Sequence, residues 1–274
     1  MRGFHSSADK SGIVHLRCHG DTQLVCAKFN GSLSNYEVAA TDSLTESTVK
    51  REVTSYLDVG DHEYLVLNVK KLIKSAHQQP ISSLKVLKSG KVLTGSCDHT
   101  LKLFNIVTGQ CERTYTAHSG GITSVHELCG EFVSGCDEGV VCLWNVHSEL
   151  FKLKLTEHRA AISSLTSTSL YIVSTSTDEC ICVWLRSNGN LMRTVPLTQG
   201  CSITTAITNN WCVSGGRNSI SLWDIRSGRV ARNISVVRNA QVACVNQIVY
   251  IGNLSVLCVV GKDLYIVRLP SVLE

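Results

Sequence analysis

VLTGSCDHTLKLFNI, residues Val92 to Ile106, is the stretch whose reading decides the fold. Apolar residues alternate with small or polar ones on either side of a break at Cys97-Asp98-His99-Thr100, the pattern of two strands joined by a tight turn. Aligned on their aromatic ends, EFVSGCDEGVVCLWNV (131–146) and YIVSTSTDECICVWLR (171–186) superimpose on it. WCVSGGRNSISLWDI (211–225) fits with its turn one residue shorter. The aromatic positions Phe104, Trp144, Trp184 and Trp223 are spaced by 40, 40 and 39 residues. His77, His118 and His158 precede the first three by 26 or 27, each opening an alternating run. A period of this length marks an array of small units that bury their faces only against one another.

The arrangement resembles the WD40 repeat: four strands per unit, a histidine near the start, and an acid six residues before a tryptophan. Weaker copies lie upstream. Phe29 to Val38 carries Asn30 and Tyr36 in the acid and aromatic places, and Gly60 to Val69 carries Asp61 and Leu67. A last degenerate copy ends in Lys262-Asp263-Leu264-Tyr265-Ile266-Val267. The expectation is an all-β WD40 β-propeller of about seven four-stranded blades, the first and last degenerate. It forms a single domain over 1–274, with degenerate blades in 1–75, four clear repeats in 76–235 and a degenerate closing blade in 236–274.

Such a repeat assigns most of the conspicuous polar residues a structural task. The turn acid accepts from turn amides and from the histidine of its own blade. That histidine meets a Ser or Thr of the second strand, whose hydroxyl reaches the Trp N–H. His77, Thr94 and Asp98 have these places in one blade, and His158, Ser174, Asp178 and Trp184 in another. Phe104 cannot donate, so the network of its blade is truncated. The blade of His118, Ser134 and Trp144 has Glu138 in the acid place. Trp223 stands without His or Asp. Buried networks of this kind fix one geometry when every member is satisfied.

The chemistry that Cys97-Asp98-His99 suggests, metal ligation or a nucleophile with its base, does not follow. Neighbours in a strand-turn segment point different ways and rarely converge on one ion. Asp98 reads as the turn acceptor, with Cys97 and His99 as bystanders. No HExxH spacing or glycine-rich phosphate loop occurs, so no catalytic residue, cofactor or metal is expected. Nothing indicates direct nucleic-acid binding either, since the net charge is only +4. The 13 cysteines include no CxxC pair and often alternate with apolar residues, as in Glu179 to Trp184. They read as small buried hydrophobes in a reducing, cytosolic setting. Met1 to His5 leads into polar residues, with no signal peptide in view, and Val242 to Gly261 reads as two strands and a turn instead of a membrane span.

Charge is concentrated in one window. From Lys70 to Lys102 there are seven lysines against one acid, Asp98. The repeat's strand order puts Lys70 and Lys71 at a turn between third and fourth strands, and Lys88 and Lys91 around a first-to-second turn. Arg226 and Arg229 belong to an equivalent turn later in the chain. These turns open on the face opposite the His and Asp loops, and a basic stripe there would steer and hold an acidic partner. On the other face Gln78, Arg159 and Thr177 are the loop residues placed for contact.

The segments Ala76 to Leu84, Thr94 to Phe104 and His118 to Thr123, with the ending Leu269 to Glu274, are similar to the cytosolic C-terminal propellers of the SCAP family, the sterol regulatory element-binding protein (SREBP) cleavage-activating proteins. The resemblance implies an escort. A membrane region senses sterol in the endoplasmic reticulum, while the propeller holds the C-terminal regulatory domain of a membrane-bound SREBP-type transcription factor precursor for transport to the Golgi. The expected partner is that protein, and the expected place is the cytosolic face of those membranes. Membrane attachment would come only through a region absent from this chain. Two alternatives remain: a generic WD40 adaptor, such as a ubiquitin-ligase substrate receptor, and a propeller enzyme. The enzyme would need acidic or histidine clusters at the channel mouth.

Overall fold

The structure is a computed structural model. It describes residues 12–20, 22–41, 55–60, 63–128, 130–197, 203–217, 219–236, 244–252, 255–260 and 263–269. All regular structure among them is β, arranged in six antiparallel sheets. The chain divides into two compact units, Met1–Thr116 with two sheets and Ala117–Glu274 with four.

In the first unit, β1 (Ile13–His19), β2 (Gln23–Lys28), β3 (Leu33–Thr41), β4 (Ser55–Gly60) and β5 (Glu63–Ile73) form one five-stranded sheet in the order β1-β2-β3-β5-β4. This corrects the expected count of about seven blades. Gly60 to Val69 is not a blade of its own. β5 is the fourth strand of the first sheet, pairing with β3 from Leu33↔Ile73 to Thr41↔Tyr64, and β4 adds a fifth strand outside it. The short repeat was misread because β3 and β5 run several residues beyond the strands of a standard blade. Asp61 lies outside the described residues. Lys70 and Lys71 are therefore within β5 and not at a third-to-fourth turn.

The second sheet is the quoted stretch with its flanks: β6 (Ile81–Val86), β7 (Lys91–Ser96), β8 (Leu101–Asn105) and β9 (Cys111–Tyr115). Val25, Ala27 and Leu33 of the first sheet pack against Ile81, Leu84, Val92 and Phe104 of the second. In the second unit the third sheet contains β10 (Ile122–Leu128), β11 (Glu131–Cys136), β12 (Val141–Asn145) and β13 (Phe151–Leu155). The fourth contains β14 (Ile162–Ser167), β15 (Tyr171–Ser176), β16 (Cys180–Leu185) and β17 (Leu191–Pro196). The fifth contains β18 (Ile203–Ala206), β19 (Trp211–Gly215), β20 (Ser219–Asp224) and β21 (Arg229–Ser235). The last has three strands, β22 (Val245–Gly252), β23 (Ser255–Val260) and β24 (Asp263–Arg268).

Successive sheets of this unit stack face to face. Leu143 and Leu155 meet Ile172 and Trp184, Val173 and Val183 meet Cys212 and Trp223, and Val213 and Leu222 meet Val245 and Val256. The middle strands are covered on both faces, which is why they read as near-continuous apolar runs. The repeat also has a backbone signature. In five sheets the pairing of third and fourth strands slips by one residue just before the aromatic position: Tyr36, Phe104, Trp144, Trp184 and Trp223. The extra residue is on the fourth strand each time, Lys70, Glu112, Lys152, Met192 and Ala231, so it is that strand that bends beside the aromatic position.

Candidate functional site

The polar network is complete in the fourth sheet. Trp184 Nε1 donates to Ser174 Oγ at 2.9 Å, Ser174 donates to His158 Nε2 at 2.8 Å, and His158 Nδ1 donates to Asp178 Oδ2 at 2.9 Å. Asp178 also accepts from the amides of Arg159 and Cys180, at 2.9 and 3.0 Å. Burial would raise its pKa, but the Arg159 amide and His158 hold it below the usual carboxylate range.

In the second sheet Thr94 stands 2.7 Å from His77 Nε2, and His77 Nδ1 donates to Asp98 Oδ2 at 2.9 Å. Burial lowers the His77 pKa, with Asp98 working the other way, so the neutral ring accepts from Thr94. Phe104 meets His77 only edge-on, at 6.3 Å between ring centres. Asp98 takes the Gln78 amide at 3.0 Å and, on its other oxygen, the Thr100 hydroxyl and amide at 2.6 and 3.1 Å. Against the effect of burial, those bonds and His77 bring its pKa down to about 2. Thr100 is a member the sequence reading missed. Its position two residues after an Asp is the signal of an Asx turn. Cys97 donates its amide to Pro80 O at 3.0 Å, and His99 is exposed with φ at 69°.

The third sheet breaks the pattern. Trp144 Nε1 donates to Ser134 Oγ at 2.8 Å, and Ser134 stands 2.7 Å from His118 Nε2. Glu138, one methylene longer than Asp, passes the imidazole and accepts from the Ser119 hydroxyl. His118 Nδ1 is left buried with no hydrogen-bond partner. Burial, helped by Lys154 and opposed by Asp137, lowers the His118 pKa to about 4. In the fifth sheet only the Trp223 Nε1 to Ser214 Oγ bond remains, at 2.6 Å.

Gln78, Arg159 and Thr177 are exposed beside these turns. The basic residues are not an uninterrupted stripe. Cross-strand pairing brings in acids from outside the sequence window: Glu37 pairs with Lys70 at 2.7 Å and Glu112 with Lys91 at 2.6 Å. Lys102 turns away to donate to Ala76 O at 2.9 Å. Lys88 is exposed in the β6–β7 turn, and Lys71 lies along the β8–β9 turn, close against Gly109. Arg226 lies in the β20–β21 turn and Arg229 opens β21. Arg186, which no local pattern singled out, clamps the third and fourth sheets: its Nε donates to Glu131 at 3.0 Å and its Nη1 to Thr168 O at 3.2 Å. Lys152 completes that ion-pair group.

Among the described residues six cysteines are buried, and burial pushes the Cys26 and Cys142 thiols up to about 12. Among the described residues no cluster of three or more His, Cys, Asp or Glu side chains could hold a metal, and no helix is long and apolar enough to cross a membrane.

A family model described as the SCAP β-propeller matches residues 3–268. The chain is 29% identical over 204 residues to the sterol regulatory element-binding protein cleavage-activating protein of Xenopus laevis, covering 74% of this chain and 16% of that protein. It is 32% identical over 114 residues to Protein FIZZY-RELATED 3 of Arabidopsis thaliana, covering 35% of this chain and 24% of that one. A chain of the mitotic checkpoint complex superimposes with a TM-score of 0.75 at 15% identity, over 96% of this chain and 76% of that one. The computationally designed Ika8 protein does so with a TM-score of 0.64 at 21% identity, over 95% and 85%. These two structures show a shared propeller fold. The chain spans about a sixth of the Xenopus relative's length and about a quarter of the Arabidopsis one.

Proposed function

Because the chain belongs to the SCAP β-propeller family, we propose that it is a non-catalytic protein-binding propeller that holds the C-terminal regulatory domain of a membrane-bound, SREBP-type transcription factor precursor. Its task is escort of that precursor from endoplasmic reticulum to Golgi at the cytosolic face of the membranes, with sterol sensing assigned to no residue of this chain. The observation that carries the reading is a single family model running from residue 3 to 268. That it spans both compact units also supports treating them as one domain. The polar residues support a binding role: the His, Asp and Trp side chains that resemble chemistry are engaged in holding turns.

The surface offered to an acidic partner is narrower than the lysine count suggests. Lys70 and Lys91 already have carboxylates, so Lys71 and Lys88 carry the attraction in the first unit, and Arg226 and Arg229 in the second. Exposed charges act mainly through association rate and fade with salt. Co-precipitation with the precursor's C-terminal domain tests the partner directly, and its absence would leave the generic WD40 adaptor. With binding established, Lys71→Glu/Lys88→Glu and Arg226→Glu/Arg229→Glu should each weaken it by about tenfold at low ionic strength and by less at high salt. Unchanged affinity at low salt would reduce those residues to a solvated surface.

A further inference from the structure

The turn between β20 and β21 repeats a local arrangement and adds charge to it. In the second and third sheets the corresponding turns are closed by a neutral side chain. Asn105 Oδ1 accepts the amides of Val107 and Thr108 at 3.0 and 3.2 Å, and Asn145 Oδ1 accepts that of His147 at 2.8 Å. In the fifth sheet Asp224 has this task, accepting the Arg226 amide at 2.9 Å. Burial works to raise the Asp224 pKa, but the Ser227 hydroxyl and the amides of Arg226 and Ser227 hold it below the usual carboxylate range. The one carboxylate of the turn is therefore engaged by the turn itself.

Three guanidiniums belong to this turn. Arg226 and Arg229 flank Ser227 and Gly228, and both are exposed. Arg193 reaches the turn from β17 of the fourth sheet. Its Nε donates to Arg226 O at 2.7 Å, and its Cδ lies 3.0 Å from the place a Cβ on Gly228 would take. Among the described residues none of the three has a carboxylate within ion-pair distance. The turn does not need them to form. The second sheet closes the same turn with uncharged Val107 and Thr108. In the fourth sheet the turn glycine, Gly189, rests on Leu153, which has the register place of Arg193. Like charges held on one turn repel one another, so the cluster gives the fold nothing.

We infer that the β20–β21 turn is a binding site for a phosphorylated serine or threonine of a partner protein, with Arg193, Arg226 and Arg229 receiving the phosphate. A carboxylate brings one charge and two oxygens. A phosphate monoester brings close to two charges and three acceptor oxygens, which suits several guanidinium forks at once. All three arginines are exposed, so a free phosphate would find no enclosure. A peptide adds apolar contacts, since Met192 and Val230 are 49% and 40% exposed beside Arg193 and Arg229. A bilayer is a poorer match, because the apex Arg226-Ser227-Gly228 has no apolar side chain to insert. The inference rests on the reading of Arg226 and Arg229 as a partner-binding surface and names the chemistry recognised there.

The probe is a blocked, fluorescently labelled peptide, Ala-Leu-phosphoSer-Leu-Ala, titrated by anisotropy against the full chain beside versions with Ser or Glu at its centre. Saturable binding is expected, at least about tenfold tighter than that of the Glu version. Arg226→Gln/Arg229→Gln should remove this preference, and Arg193→Gln alone should reduce it. Lys74→Gln/Lys154→Gln, which takes two exposed charges from elsewhere, should leave it unchanged. The replaced side chains are exposed, so circular dichroism and the unfolding midpoint should stay as in the parent. Phosphate takes up its second proton at about pH 6, so binding of the phosphopeptide should weaken below that pH while binding of the Glu peptide stays level. No saturable binding, equal affinity for the phosphorylated and Glu peptides, or equal weakening by the two double variants overturns the proposal. So does retention on anionic phospholipid vesicles without peptide binding, which would make the turn a membrane contact. The probe contains no precursor sequence. Phosphopeptide binding without precursor binding therefore sinks only the proposed function, and precursor binding without phosphopeptide binding sinks only this inference.

Discussion

The difference between Glu138 and Asp178 is one methylene, and it decides whether a buried histidine has a partner. His158 Nδ1 reaches Asp178, whereas His118 Nδ1 reaches nothing because Glu138 extends past it to Ser119. An unmet buried donor costs on the order of 1–3 kcal/mol. Glu138→Asp should therefore stabilise the protein by about 1 kcal/mol at pH 7 in urea unfolding. The same residue makes stability depend on pH. With a folded-state pKa of about 4 against an ordinary 6.5, His118 stays neutral in the fold while the unfolded chain takes up a proton. Its contribution is complete above pH 6.5 and is lost as pH falls toward 4, by up to about 3 kcal/mol. Asp98 acts in a lower window: its pKa of about 2 means stability present above about pH 4 and lost below it. In Glu138→Asp the new carboxylate holds the His118 proton, so the loss between pH 6.5 and 4 should shrink. An unfolding series across that range, parent beside variant, checks both statements.

At the scale of the strand, the blade is a hairpin pair with an aromatic anchor, and its parts were largely legible in sequence. The Asp turn, the preceding histidine and the aromatic six residues on all lie within about 27 residues, and short-range chemistry determines what they can bond. Ser174 is the hinge of one full network, accepting from Trp184 and donating to His158. Ser214 serves Trp223 alone. Ser174→Ala should cost about 2–4 kcal/mol, since two buried nitrogens lose their partner, and Ser214→Ala about 1–2 kcal/mol. Equal losses in thermal or urea unfolding would mean that the histidine arm adds nothing. The hairpin of β4 and β5 was not legible. Its alternation matches a second blade as well as an extension of the first, and only the nine-residue pairing with β3 distinguishes them. The lysine window was misleading for a related reason. Glu37 and Glu112 lie outside it in sequence and are delivered to Lys70 and Lys91 by strand pairing.

At the scale of the whole molecule, sheets stack so closely that some positions admit no side chain. A Cβ on Gly135 would stand 2.6 Å from Ile162 Cγ2 of the next sheet, and one on Gly215 equally close to Val245. Gly135→Ala should cost about 1–3 kcal/mol through overpacking. Pairing it with Ile162→Ala, which removes both Cγ1 and Cγ2, should make the double loss smaller than the sum of the single ones, whereas independent sites would simply add; urea unfolding of the four combinations separates the two. Between the fourth and fifth sheets the corresponding residue is Thr175, and the contact is polar instead: Thr204 N–H donates to Ser164 Oγ at 3.1 Å and Ala206 N–H to Thr166 Oγ1 at 3.0 Å. What the sequence by itself determined is the unit: its turn, its buried network, its apolar faces and, through them, the propeller class. These follow from interactions a few to some tens of residues apart, which periodicity and side-chain chemistry encode directly. Only the tertiary structure decided the number of sheets, the neutralisation of Lys70 and Lys91, and the clamp of Arg186 on Glu131. Each of these depends on which strand comes to lie beside which, and a strand's local pattern states what its faces need without naming the neighbour that will meet it.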